Sequence, residues 1–291
     1  MDVKPRTHAP GRLVTCCLVA LGICTVPSVH AEGQLTVAAI PSTPELVSLE
    51  TAQRSFYSGR YAEAADLALE PCASGAGDAA ACELRTSALL LQIKRALKDQ
   101  RDKRTALKNC SACPALLSAF QTATTRGQAV VRAQLQADPD HQTALFLLAK
   151  LNLNHVWLQL GTLGRRTGWH EYKEARHLLD QVLEQNPRYV RARVARAWID
   201  YIVATKMPRG TRWILGGGNK KRGLLAVREA ATADAGFFER TEALFALWDM
   251  QVRENRLPDA LVTARRLVLD FPDNEELRSF IETHQTALAS N

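Results

Sequence analysis

The chain has 291 residues, 46% of them hydrophobic, 23% charged and 6% aromatic, with a formal charge of +7. That is apolar enough for one large or two ordinary globular domains and too apolar for disorder, while sixteen Gly and twelve Pro exclude collagen-like and low-complexity classes. Past the N-terminus no apolar run approaches the ~20 residues that a membrane-spanning helix needs, so a soluble chain is expected.

Residues 1–31 combine a basic start (Lys4, Arg6, Arg12), an apolar run over 13–26, Pro27 as breaker and the small-residue end Val29-His30-Ala31. That order predicts a secretory signal peptide cleaved after Ala31, then a linker over residues 32–44. Cys16, Cys17 and Cys24 leave with the signal. Thr15 before Cys16 and Ile23 before Cys24 are not the small residue of a lipoprotein cleavage box, so a free protein in the periplasm of a Gram-negative envelope is expected. The remaining residues carry 34 Lys+Arg against 29 Asp+Glu, and residues 161–222 alone hold 14 against 5. Such asymmetry points to an acidic or amphipathic protein or peptide partner, or to an anionic membrane surface; nucleic acid is not expected after export.

Residues 45–137 read as an N-terminal helical region with four cysteines. In an oxidising compartment Cys72 is expected to pair with Cys82, clamping the flexible turn between them, and Cys110 with Cys113. The second pair is a C-x-x-C before Pro114, but no strand-rich pattern precedes it and a charged stretch leads into it. A structural bridge is the expectation, not a redox centre or a zinc site.

From residue 138 onward, apolar residues at spacings of three and four over 144–160, 172–184, 190–205, 237–253, 258–270 and 275–288 predict amphipathic helices, and the class is all-α. Helix-closing pairs at Asp138-Pro139, Asn186-Pro187, Asp234-Ala235 and Phe271-Pro272 recur at separations of 48, 48 and 37 residues. Repetition at that period is the mark of stacked helix pairs. Counting back from Pro272 finds Leu244, Leu247, Ala260, Ala264 and Leu267 at apolar or small repeat positions, with Trp248 departing from them. Counting back from Pro187 finds Ala175, and Gly59-Arg-Tyr-Ala-Glu-Ala64 carries the turn glycine and the close-packing alanine.

On these residues the chain resembles the tetratricopeptide-repeat (TPR) family over 45–71 and 142–288, with degenerate repeats. The resemblance implies a right-handed stack of helix hairpins whose first helices line a concave groove that binds peptides or proteins. Two hairpins carry Gly-rich basic insertions, 161–169 and 208–219, whose equivalent placement puts Arg165, Arg166, Trp169, Arg212, Trp213, Lys220 and Lys221 on one edge as a basic, aromatic lip. Within first helices, Asn152, His155 and Gln159, and then Arg193, Arg196 and Asp200, form polar stripes expected to face the groove. Cations opening the helix after Gly216-Gly-Gly-Asn219 oppose its dipole, which an anion would reconcile. The loop is also similar to one in the TRAP-transporter-associated T components, which implies the alternative of a periplasmic carrier for a small ligand or lipid.

No enzyme motif is complete. His170-Glu171 begins an H-E-x-x-H, but Ala175 follows Glu174, and His177 adds only a second imidazole. The expectation is a non-enzymatic scaffold without cofactor or metal.

Overall fold

Turn chemistry divides the chain where its polar and glycine residues fall. In the computed structural model, residues 44–74, 77–97, 102–165, 167–207, 209–212 and 215–289 are described. The expected signal peptide, the linker to residue 43, Arg166 and Trp213 lie outside them. A first hairpin, α1 (Pro44–Tyr57) and α2 (Tyr61–Leu67), turns at Gly59, whose φ of 78° suits a residue without Cβ. It leads through α3 (Leu69–Ala73) to α4 (Ala79–Leu97), α5 (Lys103–Lys108) and the long α6 (Cys113–Ala137). Asp102 opens α5 by accepting from the amides of Arg104 and Thr105, and Asp78 caps α4 by accepting from Ala80 and Ala81.

Three further hairpins follow: α7 (Gln142–Val156) with α8 (Trp169–Gln185), α9 (Val190–Lys206) with α11 (Lys220–Ala231), and α12 (Phe237–Arg253) with α13 (Leu257–Asp270). A one-turn α10 (Arg209–Arg212) sits in the second insertion, and α14 (Glu275–Ala289) covers the end. Each second helix packs against the first helix of the next pair: α8 on α9, α11 on α12, α13 on α14. The fold is an all-α, TPR-like solenoid of stacked hairpins with Gly-rich insertions between helices, and the described residues contain no strand.

Small residues let these helices approach. Ala175, Ala230, Ala260 and Ala264 are wholly buried. A Cβ on Gly223 would stand 2.8 Å from the Ala197 carbonyl oxygen, so glycine sets the spacing between α11 and α9. Residues 42–291 hold together as one unit in which the N-terminal helices pack on the repeats. Both cysteine pairs are bridged: Cys72–Cys82 ties α3 to α4 at a Cα separation of 4.7 Å, and Cys110–Cys113 spans 5.4 Å at the start of α6. Cys72, Cys82 and Cys113 are buried, and Cys110 is half-buried.

The helices predicted over 190–205, 237–253 and 258–270 are found within a residue or so of those bounds. The one over 144–160 ends as an α-helix at Val156 and continues as a π-helical turn, Trp157–Thr162. There the chain leaves the helix axis, with Arg165 N–H donating to the Gln159 carbonyl at 2.8 Å.

Candidate functional site

Lys150 is the only charged side chain between His141 and His155, on an otherwise very apolar α7, and burial obliges it to find a carboxylate. It finds two. Its Nζ lies 2.9 Å from Glu242 on α12 and 3.8 Å from Glu83 on α4. Arg191 on α9 reaches the same pair, Nε donating to Glu242 at 2.7 Å and Nη2 to Glu83 at 3.3 Å, while its guanidinium rests on the Phe146 ring, 4.7 Å from the centroid. Two cations and two carboxylates from four helices thus form a neutral, largely buried quartet that joins α7, α9 and α12 to α4.

Burial alone would raise the Glu242 carboxyl, but Lys150 and Arg191 hold it down at about 2. Burial would likewise discharge Lys150 and Arg191, and the two glutamates more than offset it, so both cations titrate above their ordinary values. Lys150 is therefore a protonated ammonium and no nucleophile at neutral pH. What the arrangement does chemically is hold four helices in one register.

Beside the quartet, Tyr57 at the end of α1 lies among Phe238, Phe245 and Phe271, with ring centroids 6.2, 5.4 and 5.7 Å away. Burial and then the Glu242 charge push its phenol up. Asn274 donates to the Tyr57 carbonyl at 2.8 Å, and Arg60 pairs with Asp273. The first hairpin is thus in contact with the last one through Tyr57, Arg60, Asp273 and Asn274.

Of the two polar stripes expected to face a groove, Asn152, Arg193, Arg196 and Asp200 are engaged by neighbouring helices. Asn152 is wholly buried, accepting from Gln128 at 2.7 Å and donating to Glu174 at 2.7 Å, and Glu174 takes both guanidinium nitrogens of Arg132 at 2.8 Å. It joins α6, α7 and α8. His155 and Gln159 are half-buried where α7 gives way to the first insertion. On α9, Arg193 pairs with Glu229 of α11, and Arg196 joins Asp180 of α8 to Asp200, both at 2.7 Å. Asp200 also accepts from Arg222 at 2.7 Å. Asn152, Arg193, Arg196 and Asp200 thus stitch first helices to second helices. Spacings of three and four establish that a stripe exists, but its direction depends on where the neighbouring helices pack, and each first helix carries more than one polar stripe.

The second insertion is held by α8, the helix into which the first insertion leads. Trp169, 39% exposed, packs edge-on against Tyr172, and the Tyr172 hydroxyl donates to the Leu215 carbonyl at 3.0 Å. Arg176 grips the carbonyls of Leu215 and Gly216. Arg212 donates to the Met207 carbonyl at 3.0 Å, closing its own loop. Asn219 caps α11 by accepting from the Arg222 amide, and Lys220 pairs with Glu254 at 2.6 Å, a bond that draws the Glu254 carboxyl down. The anion expected at this basic helix start is internal: Glu254 and Asp200 supply it. Arg165 and Lys221 are exposed, and neither side chain has an ion-pair or hydrogen-bond partner among the described residues.

Among the described residues no three His, Cys, Asp or Glu side chains are placed to hold a metal ion, and no helix is long and apolar enough to cross a membrane. No protein-family model matches the chain. No curated protein matches it either. A crystal structure of a thermophilic TPR protein from Thermus thermophilus is similar over 82% of this chain and 97% of that one, at 14% identity and a TM-score of 0.46.

Proposed function

We propose that the protein is an exported, non-enzymatic interaction scaffold that binds an acidic or amphipathic protein or peptide at the lip formed by its two insertions. One observation carries the reading: an exposed Trp169 ends the first insertion on the helix that holds the second, with exposed, unpaired Arg165 inside the first insertion and Lys221 just past the second, in the first turn of α11. Hairpin stacking needs neither the insertions nor their cations, whereas an aromatic anchor with exposed positive charge suits a partner carrying carboxylates around an apolar side chain. Arg212 and Lys220 contribute to the lip by shaping it, since each is held by an internal acceptor. The two bridged cysteine pairs suit the oxidising envelope compartment to which a signal peptide would send the chain.

The test is affinity capture from envelope extract with the wild type and with Arg165→Glu/Lys221→Glu. The expected outcome is salt-sensitive capture by the wild type, its loss in the variant, and unchanged thermal stability, because exposed charges contribute on the order of 0.5 kcal/mol or less each. Equal recovery of the same proteins by both would remove the lip from the binding surface.

A further inference from the structure

The second helices of the last two complete hairpins carry matching outward residues. Gly223, Val227 and Ala230 on α11 and Ala260, Ala264 and Leu267 on α13 are the buried positions, and each stands 37 residues from its counterpart. The same shift maps Leu225 onto Val262 and Arg228 onto Arg265. Equivalent positions of stacked hairpins face the same way, so these four share a side, joined on α13 by Arg266 and Leu269 at helical spacings of four and seven from Val262. The three aliphatic side chains are 55, 68 and 81% exposed at Leu225, Val262 and Leu269. The guanidinium groups of Arg228, Arg265 and Arg266 are exposed and have no carboxylate partner among the described residues, while Glu229 beside them is turned to Arg193 at 2.5 Å.

We propose that this outward face of α11 and α13 docks on an anionic lipid surface, the aliphatic side chains entering the headgroup layer and the three arginines taking lipid phosphates. Charge complementarity names the sign of the occupant. The shape of the patch names its kind: single aliphatic groups protruding from separate helices need no matching pocket in a fluid interface, whereas a folded partner would have to supply one for each. Arginine forks also suit phosphate oxygens better than an ammonium does. The inference uses none of the lip residues and stands apart from the partner reading above.

Co-sedimentation with vesicles of phosphatidylcholine, with and without phosphatidylglycerol, tests it on the purified protein. Binding is expected only to the vesicles containing phosphatidylglycerol and should fall as salt is raised. Arg265→Glu/Arg266→Glu should lower the partition by about 25-fold or more, each lost cation being worth roughly five-fold near such a surface. Val262→Ser/Leu269→Ser should lower it as well, while Arg165→Glu/Lys221→Glu should leave it unchanged. Both stripe variants keep the buried positions and should melt with the wild type. No binding to anionic vesicles, binding indifferent to the stripe variants, or a stripe needed instead for capture of an acidic protein would each overturn the proposal.

Discussion

Arg191 on α9 and Glu242 on α12 meet at 2.7 Å across the boundary between consecutive hairpins, and neither carboxylate oxygen of Glu242 is left over, since Lys150 takes the other at 2.9 Å. Removing Glu242 leaves two largely buried cations to share Glu83 alone, one positive charge uncompensated. Glu242→Ala should therefore destabilise by about 3–5 kcal/mol in urea unfolding, against less than about 1 kcal/mol for the exposed Glu50→Ala, whose pair with Arg54 is open to water. Similar costs for the two would show that the quartet does not hold the helices.

The same pair sets the response to acid. Glu242 titrates at about 2 in the folded chain, below its ordinary 4.5, so its contribution to stability is complete above the unfolded value and is lost as pH falls from about 5 toward 2. Unfolding free energy measured across that window should drop, and Glu242→Gln, which has no proton to gain there, should show a shallower drop.

The helix pairs past residue 138, and the ends of α9, α12, α13 and α14, were legible in the sequence because they follow from apolar spacing and from Pro, Gly and Asn at turns. The functional surface was less so. Lys150 was visible as the single charge in an apolar helix, yet the stripe of Asn152, His155 and Gln159 drew attention because it repeats. Repetition along a helix gives a stripe without giving its direction, and α8 and α11 claim the side on which Asn152, Arg193, Arg196 and Asp200 stand. The basic start of α11 read as a place for a bound anion, and the carboxylate that pairs with Lys220, Glu254, stands 34 residues away, out of reach of any local rule. Nothing local announced that Tyr57 would lie against Phe271.

Close approach at the second insertion makes a contrast of glycines informative. A Cβ at Gly218 would stand 2.6 Å from the Ala204 amide nitrogen and one at Gly223 2.8 Å from the Ala197 carbonyl oxygen, whereas at Gly161 it would meet nothing within 4 Å. Gly223→Ala should cost about 1–3 kcal/mol by pushing α11 off α9. Gly161→Ala should be neutral or stabilising by about 0.5 kcal/mol. Paired thermal melts decide it.

The two bridges should separate under reductant. Cys72 and Cys82 are 3% and 0% exposed, while Cys110 is half-open at the surface. Graded reduction followed by alkylation and peptide mass analysis should label Cys110 and Cys113 first. Replacing Cys72 and Cys82 together by Ala should cost about 3 kcal/mol, the loop-closure value for a bridge across some ten residues.

Docking the first hairpin on the last changes how the array comes apart. In an open row of repeats each unit answers to its immediate neighbours, so the two ends fray separately and the middle outlasts them. Here Tyr57 shares its aromatic surroundings with Phe245 and Phe271, and Asn274 holds the Tyr57 carbonyl, so neither terminus has an independent boundary. Melting of α14 loosens its cap Asn274 and with it the hold on Tyr57, and release of α1 uncovers Phe245 of α12. Partial unzipping from one end thus forfeits contacts at the other, and the row of hairpins behaves as a single cooperative body.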